Sequence, residues 1–164
     1  MRVLLVSDNP RLSASVETAL IGDPDVEILE VRTPERAVAI IDDDQHFDIV
    51  VGDADTAPSG GFFLAREIKA RGQMGRAMPP VVLFLAREQD RFLSNWSQAD
   101  AFLIKPIDPF DFRTVINSLV AGDPVPTLPG VGGEPTASLL DIPGEDSEDK
   151  LRPAPAVGGL PTGT

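Results

Sequence analysis

The stretch Phe47-Asp48-Ile49-Val50-Val51-Gly52-Asp53 decides how this chain is read. An apolar, β-branched run stops abruptly at a carboxylate. Small and chain-breaking residues follow, Ala54-Asp55-Thr56-Ala57-Pro58-Ser59-Gly60-Gly61. A continuous apolar run of this length fits a strand covered on both faces, as in a parallel sheet. Ligands and chemistry in such sheets sit beyond the carboxyl ends of the strands. Asp53 is therefore the residue to explain.

Working outward, Arg2 to Val6 reads as a first buried strand, and Asn9-Pro10 as a helix cap with proline at the first helical position. Leu12, Val16 and Leu20 recur at helical spacing before Gly22 and Pro24 close the helix. Val26 to Val31 reads as a second strand. Thr33-Pro34 repeats the capping signal ahead of a helix over Glu35 to Asp43, whose acids Asp42 to Asp44 lie at its unfavourable end. After the opening stretch, a third helix starts at Gly60-Gly61 with Phe63, Leu64 and Ile68 as its buried face, and ends near Arg71-Gly72. Val81 to Leu85 is a fourth apolar strand, Glu88 to Trp96 a weaker helical segment, and Ala101 to Ile104 a fifth strand. Asp108-Pro109 caps a last helix carrying Phe112, Val115, Ile116 and Leu119, with Gly122 as its stop.

Five strand–helix alternations over about 120 residues imply a three-layer α/β domain with right-handed crossovers and a parallel sheet. Composition then shifts. Eight of the 16 prolines and eight of the 14 glycines lie from Gly122 onward, with the acidic block Glu145-Asp146-Ser147-Glu148-Asp149. Such a segment buries too little apolar surface to offset its ordering entropy. Residues 1–121 are thus expected to form the domain and 122–164 a Pro/Gly-rich acidic tail, disordered alone or ordered on a partner.

A net charge of −12 argues against a nucleic-acid partner. The absence of cysteine removes disulfides and thiolate metal sites. The apolar start, Met1 to Val6, is too short for a signal peptide or a membrane span, so a cytoplasmic location is expected. His46, the sole histidine, sits in a polar turn and suits a surface role. Gly130-Val131-Gly132-Gly133 follows no strand and is not a dinucleotide fingerprint. Phe92, Leu93 and Trp96 read most simply as core or groove lining; exposed, they would mark a docking patch.

Parallel topology places Asp8, Asp53 and Lys105 at one edge of the sheet, after strands one, three and five. Each alone is an ordinary loop residue. The conjunction is stronger, because the chain has 11 arginines and only three lysines. Two carboxylates suit magnesium, which keeps its other positions for water and phosphate. A lysine opposite would neutralise an anionic oxygen group as a point charge.

With Val6-Ser7-Asp8, the strand ending in Asp53, Ala99-Asp100-Ala101-Phe102 and Lys105-Pro106 in place, the first 121 residues resemble the receiver domain of bacterial two-component response regulators. The resemblance implies a flavodoxin-like fold, a five-stranded parallel sheet of order 2-1-3-4-5 flanked by five helices. It implies Asp53 as phosphoacceptor, Lys105 as phosphoryl contact, and Asp8, Asp53 and the backbone carbonyl of Asp55 around Mg2+. Leu85 and Phe102 take the family's two switch positions.

Departures from the family pattern matter as much. Ser7 stands where a second acid is usual, which weakens the expected metal site. Leu85 stands where a Thr or Ser hydroxyl is usual, and a hydrogen bond to a charged group contributes roughly 1.5–3 kcal/mol. A switch deprived of it loses about a factor of ten to a hundred. The proline after Asp53 is displaced one place, to Pro58.

Two functions are therefore expected. The first is an atypical response regulator that acts mainly as a protein-binding or accessory subunit of a larger assembly. Leu139, Leu140, Ile142 and Leu151 would be apolar anchors along its tail. Arg-rich, Pro-tailed orphan receivers resemble an accessory subunit of bacterial respiratory complex I, which would place this chain peripheral to a membrane complex without spanning it. The alternative is a phosphorylation-controlled single-domain regulator in two-component phosphorelay signalling, served by a histidine kinase. No acid–base or nucleophile set beyond the phosphoacceptor site points to an enzyme.

Overall fold

A computed structural model describes residues 1–133 of the chain. Strand β1 spans Arg2–Val6, β2 Glu27–Val31, β3 Ile49–Asp53, β4 Val81–Leu85, β5 Ala101–Ile104 and β6 Val131–Gly132. Helix α1 spans Pro10–Leu20, α2 Pro34–Asp42, α3 Gly60–Gln73, α4 Arg91–Trp96 and α5 Pro109–Ala121.

The capping signals act as read. The Asn9 side chain accepts from the Arg11 amide at 3.0 Å, and Thr33 accepts from the Arg36 amide at 3.1 Å. Asp108 accepts from the amides of Phe110 and Asp111 at 2.8 and 3.0 Å. Each bond satisfies a donor that the first helical turn leaves open. Gly122, at φ +80°, ends α5 in the left-handed conformation that favours glycine.

The sheet order is β2-β1-β3-β4-β5-β6, and the first five strands are parallel. This is the flavodoxin-like arrangement. Alternate residues along each central strand feed two cores. Leu4, Val6, Val50, Leu83 and Leu85 pack under α2 and α3, and Val3, Leu5, Val51, Val82 and Phe84 pack under α1 and α5. Every residue of β3 and β4 is buried, as continuous apolar strands between two helical layers require. The rings of Phe84 and Phe112 meet at 5.4 Å between centroids, tying β4 to α5.

Three features differ from the sequence reading. Among the described residues the sheet has six strands rather than five: β6, from within the segment expected as tail, runs antiparallel to β5 and pairs Leu103 with Val131 and Phe102 with Gly132. A two-residue strand flanked by glycines carries almost no periodic signal, so it was invisible to pattern reading. Second, the segment Glu88 to Trp96 divides into a short 3₁₀ turn at Glu88–Asp90 and α4. Phe92 and Trp96 are not core; they are 63% and 57% exposed. The Arg66 guanidinium lies 4.1 Å from the Trp96 ring centroid and covers one side of the indole.

Third, the acids at the end of α2 are neutralised from outside the helix. Asp42 accepts from Arg71 at 2.6 and 2.8 Å and from Arg76 at 2.8 Å, and Asp44 accepts from Arg76 at 3.3 Å. Hydrogen bonds from Arg71, then Arg76, hold the Asp42 carboxyl well below the usual carboxylate range. A terminus that is unfavourable by its own dipole is thereby matched by two guanidinium groups.

Phe112, with no exposed surface, joins the α5 core to β4. Phe112→Ala is expected to lower the unfolding free energy by about 3–5 kcal/mol, read from urea denaturation. A loss below about 1 kcal/mol would mean that the site collapses around the missing ring.

Candidate functional site

Strand β3 delivers Asp53 to the carboxyl edge of the sheet with only 2% of its surface exposed. A carboxylate so placed has to be met by donors. The Lys105 ammonium, one residue beyond β5, donates to Asp53 Oδ1 at 2.8 Å and reaches Asp55 Oδ2 at 3.3 Å. The Asp55 amide donates to the same Oδ1 at 3.0 Å. No hydrogen bond to Oδ2 of Asp53 occurs among the described residues.

Burial acts to lower the pKa of Lys105. The hydrogen bonds and charges of Asp53 and Asp55 together outweigh that penalty and hold it above its ordinary value of 10.5. The backbone fixes the same residue, since its amide donates to the Leu85 carbonyl at 2.8 Å. Lys105 is thus held at both ends, by the strand beside it and by the carboxylate in front of it.

Asp8, after β1, is exposed, and its Oδ2 accepts from the Ala57 amide at 3.2 Å. This bond joins the loop after β1 to the loop after β3, so the two expected metal carboxylates share one edge. Ser7 turns away into its own loop, where its hydroxyl accepts from the Asn9 amide at 3.0 Å. Asp55 is exposed beside Lys105. Among the described residues no three acid or imidazole side chains converge as a metal cluster. Two carboxylates and a loop carbonyl still make an oxygen-only donor set, which fits magnesium, a cation usually held through one or two carboxylates.

The two switch positions are both interior. Leu85 has no exposed surface and Phe102 has 5%; each belongs to the core under α2 and α3. Gly61, at the start of α3, has no room for a side chain: a Cβ there would lie 2.9 Å from the Asp53 carbonyl oxygen. That close approach sets the helix directly against the residue it follows.

Sequence reasoning missed two residues at this edge. Thr56 is 1% exposed, and its hydroxyl has no partner among the described residues. Arg87, just beyond β4, is the second. Its guanidinium pairs with Asp90 at 2.9 Å, which raises its pKa, with a smaller contribution from the charge of Asp55. A second cation therefore stands within electrostatic reach of the site. His46 is exposed, as expected, and lies 3.3 Å from Asp48. Leu139, Leu140, Ile142 and Leu151 lie outside the described residues.

No protein-family model matches the chain. An uncharacterized response regulatory protein of Mycobacterium tuberculosis is 30% identical over 128 residues, covering 74% of this chain and 92% of the relative. The chain belongs to the response-regulator family. Solved receivers share its fold. The receiver domain of a Pseudomonas aeruginosa sensor histidine kinase, with magnesium coordinated in its active-site cleft, superposes with a TM-score of 0.63 at 22% identity, over 73% of this chain and 97% of that one. A co-crystal structure of the Saccharomyces cerevisiae histidine phosphotransfer protein Ypd1 with the receiver domain of its downstream response regulator Ssk1 gives 0.65 at 18%, over 74% and 89%. In this receiver, Asp53 and Lys105 are in direct contact.

Two measurements follow from these contacts. Because the Lys105 pKa is raised in the fold, its stabilising contribution is fully present below 10.5 and is lost as pH rises through the higher folded value. The stability gap between wild type and Lys105→Met should therefore stay level from pH 7 to 10 and shrink above it, by urea denaturation. Thr56→Val, which removes a hydroxyl without a partner, should leave stability unchanged or raise it by up to about 1 kcal/mol. A loss of about 1 kcal/mol or more would reveal a water bonded to that hydroxyl.

Proposed function

We propose that this response regulator is a phosphoacceptor whose Asp53 takes a phosphoryl group, with an output weaker than the family pattern implies. The observation that carries the reading is the 2.8 Å contact between Lys105 Nζ and Asp53 Oδ1 at the edge that Asp8 also lines. In the transfer, a carboxylate oxygen of Asp53 forms a bond to phosphorus. The phosphorus–nitrogen bond of a donor phosphohistidine breaks, and the imidazole leaves with the electron pair and takes up a proton. Asp53 Oδ2 is the oxygen left open for this attack. Lys105 neutralises charge on the incoming oxygens.

Asp8, Asp53 and the Asp55 carbonyl would hold Mg2+, which when bound would offset the repulsion between the carboxylate and the phosphoryl group. Ser7 contributes no carboxylate, so the site is weaker than one with three. A histidine kinase or a histidine phosphotransfer protein is the fitting donor, in line with the company that solved receivers keep.

The muted output rests on Leu85. Its side chain fills the core and offers no donor to an anion on Asp53. The role expected from the tail, as an accessory subunit of respiratory complex I, draws no support from the described residues. Among them no helix is long and apolar enough to cross a membrane.

Incubation with Mg2+ and acetyl phosphate should give a hydroxylamine-sensitive phosphoryl adduct, seen by intact mass, that Asp53→Asn abolishes. Leu85→Thr should tighten binding of the phosphoryl mimic beryllofluoride by roughly tenfold or more, the worth of one hydrogen bond to a charged group. The absence of any adduct at Asp53 would remove the phosphoacceptor reading. An unchanged affinity in Leu85→Thr would remove the account of the weak output.

A further inference from the structure

After Gly122 the chain turns back and lays β6 along β5, and the fit is close at every step. The Ile104 amide donates to the Gly130 carbonyl at 2.8 Å. Gly130 sits at φ +72°, a conformation that favours glycine, and a Cβ there would lie 3.7 Å from the Ile104 side chain. A Cβ on Gly132 would fall 2.5 and 2.6 Å from atoms of the Phe102 ring, so any larger residue would force the ring or the strap to shift. A Cβ on Gly133 would lie 2.4 Å from the Asp100 carbonyl oxygen. Val125 and Val131 pack against the core under α1 and α5. Residues 123–133 form a fitted strap rather than a loose end.

The strap is fastened one residue from the reactive edge. Ile104 holds it, and the next residue, Lys105, holds Asp53. Leu85 supplies no donor, so Lys105 is the side chain that must follow any charge added to Asp53. A phosphoryl group on Oδ2 carries negative charge outward from the carboxylate, and the Lys105 ammonium, which rests on Oδ1 at 2.8 Å, is the cation drawn toward it. The backbone that carries this side chain is the end of β5, whose last residue, Ile104, the strap holds.

We propose that the strap is a brake on Asp53: it favours the unmodified site, and its release and phosphorylation of Asp53 promote each other. Energetic coupling between two sites is reciprocal, so whatever factor the open strap adds to modification, modification adds to opening. The strap backbone at Gly132 also lies against the Phe102 ring, so the brake touches the family's aromatic switch position as well as β5. This proposal rests on the phosphoacceptor reading above, deepening it to the regulation of the same site.

The test uses the full chain as wild type and as Gly132→Val, whose side chain cannot fit over Phe102. The Ile104 amide, followed by hydrogen exchange in NMR, reports the strap. Acetyl phosphate with Mg2+ reports Asp53: its carboxylate bonds to phosphorus, the bond from phosphorus to the acetyl oxygen breaks, and acetate leaves with the electron pair. In Gly132→Val the Ile104 amide should exchange about tenfold faster or more, and Asp53 should be labelled about fivefold faster or more. In wild type, beryllofluoride should speed Ile104 exchange in turn. If far-UV circular dichroism shows that Gly132→Val does not fold, Val131→Asp serves with the same readouts.

An open strap with unchanged or slower labelling would overturn the brake while leaving the phosphoacceptor reading intact. Unchanged Ile104 exchange in the variant would overturn it as well, by showing that the strap is not held at Gly132. If neither chain is labelled while the variant's Ile104 amide exchanges faster, the phosphoacceptor reading has failed and the brake falls with it.

Discussion

A carboxylate with 2% of its surface exposed, at the end of a strand with no other polar side chain, has lost nearly all its contact with water. Desolvating such a group costs several kcal/mol unless donors replace the lost water. Here the replacement comes from Lys105 on the far side of β4, two strands away in the sheet. The ammonium can reach Asp53 only if β3, β4 and β5 keep their parallel register. The register Asp53–Phe84, Leu83–Phe102 and Leu85–Ile104 therefore brings the pair together. The chemistry of the edge and the order of the strands are one constraint seen from two sides.

Most of that order was legible in the sequence for a simple reason. Strands covered on both faces are continuous apolar runs, and β1, β3, β4 and β5 each stop at a polar residue or a loop. The caps at Asn9, Thr33 and Asp108 mark helix starts through a hydrogen bond that only a few side chains can make. Where the physics is less local, the sequence was mute. Nothing near Asp42 announces that Arg71 and Arg76 neutralise it, because those contacts cross 29 and 34 residues of chain. Trp96 was misplaced because apolar residues at helical spacing read as core, and α4 is too short to show which face is covered.

The candidate site divides in the same way. Asp8, Asp53 and Lys105 could be placed together because parallel topology alone puts them at one edge. Their bonding could not be read: that Lys105 bridges Asp53 and Asp55, or that Ser7 bonds into its own turn, depends on loop conformation. Leu85 and Phe102 were singled out by position, and the fold adds that both are interior. The glycine run after Pro129 was weighed only as a phosphate cradle and set aside. Its actual requirement is a backbone passing over an aromatic ring, a demand that comes from the neighbouring strand and leaves no local trace.

The two outer strands of the sheet bear on how copies of this protein meet. An exposed strand edge offers unpaired amides and carbonyls to any other extended chain. Among the described residues, that row at one end belongs to β6, only two residues long. At the other it belongs to β2, where Glu27 and Glu30 are exposed and two like-charged copies would have to face each other. Neither end is a good template for continuing the sheet from molecule to molecule. Crowded at high concentration, this fold is better protected against fibrillar growth than a five-stranded sheet with β5 left bare.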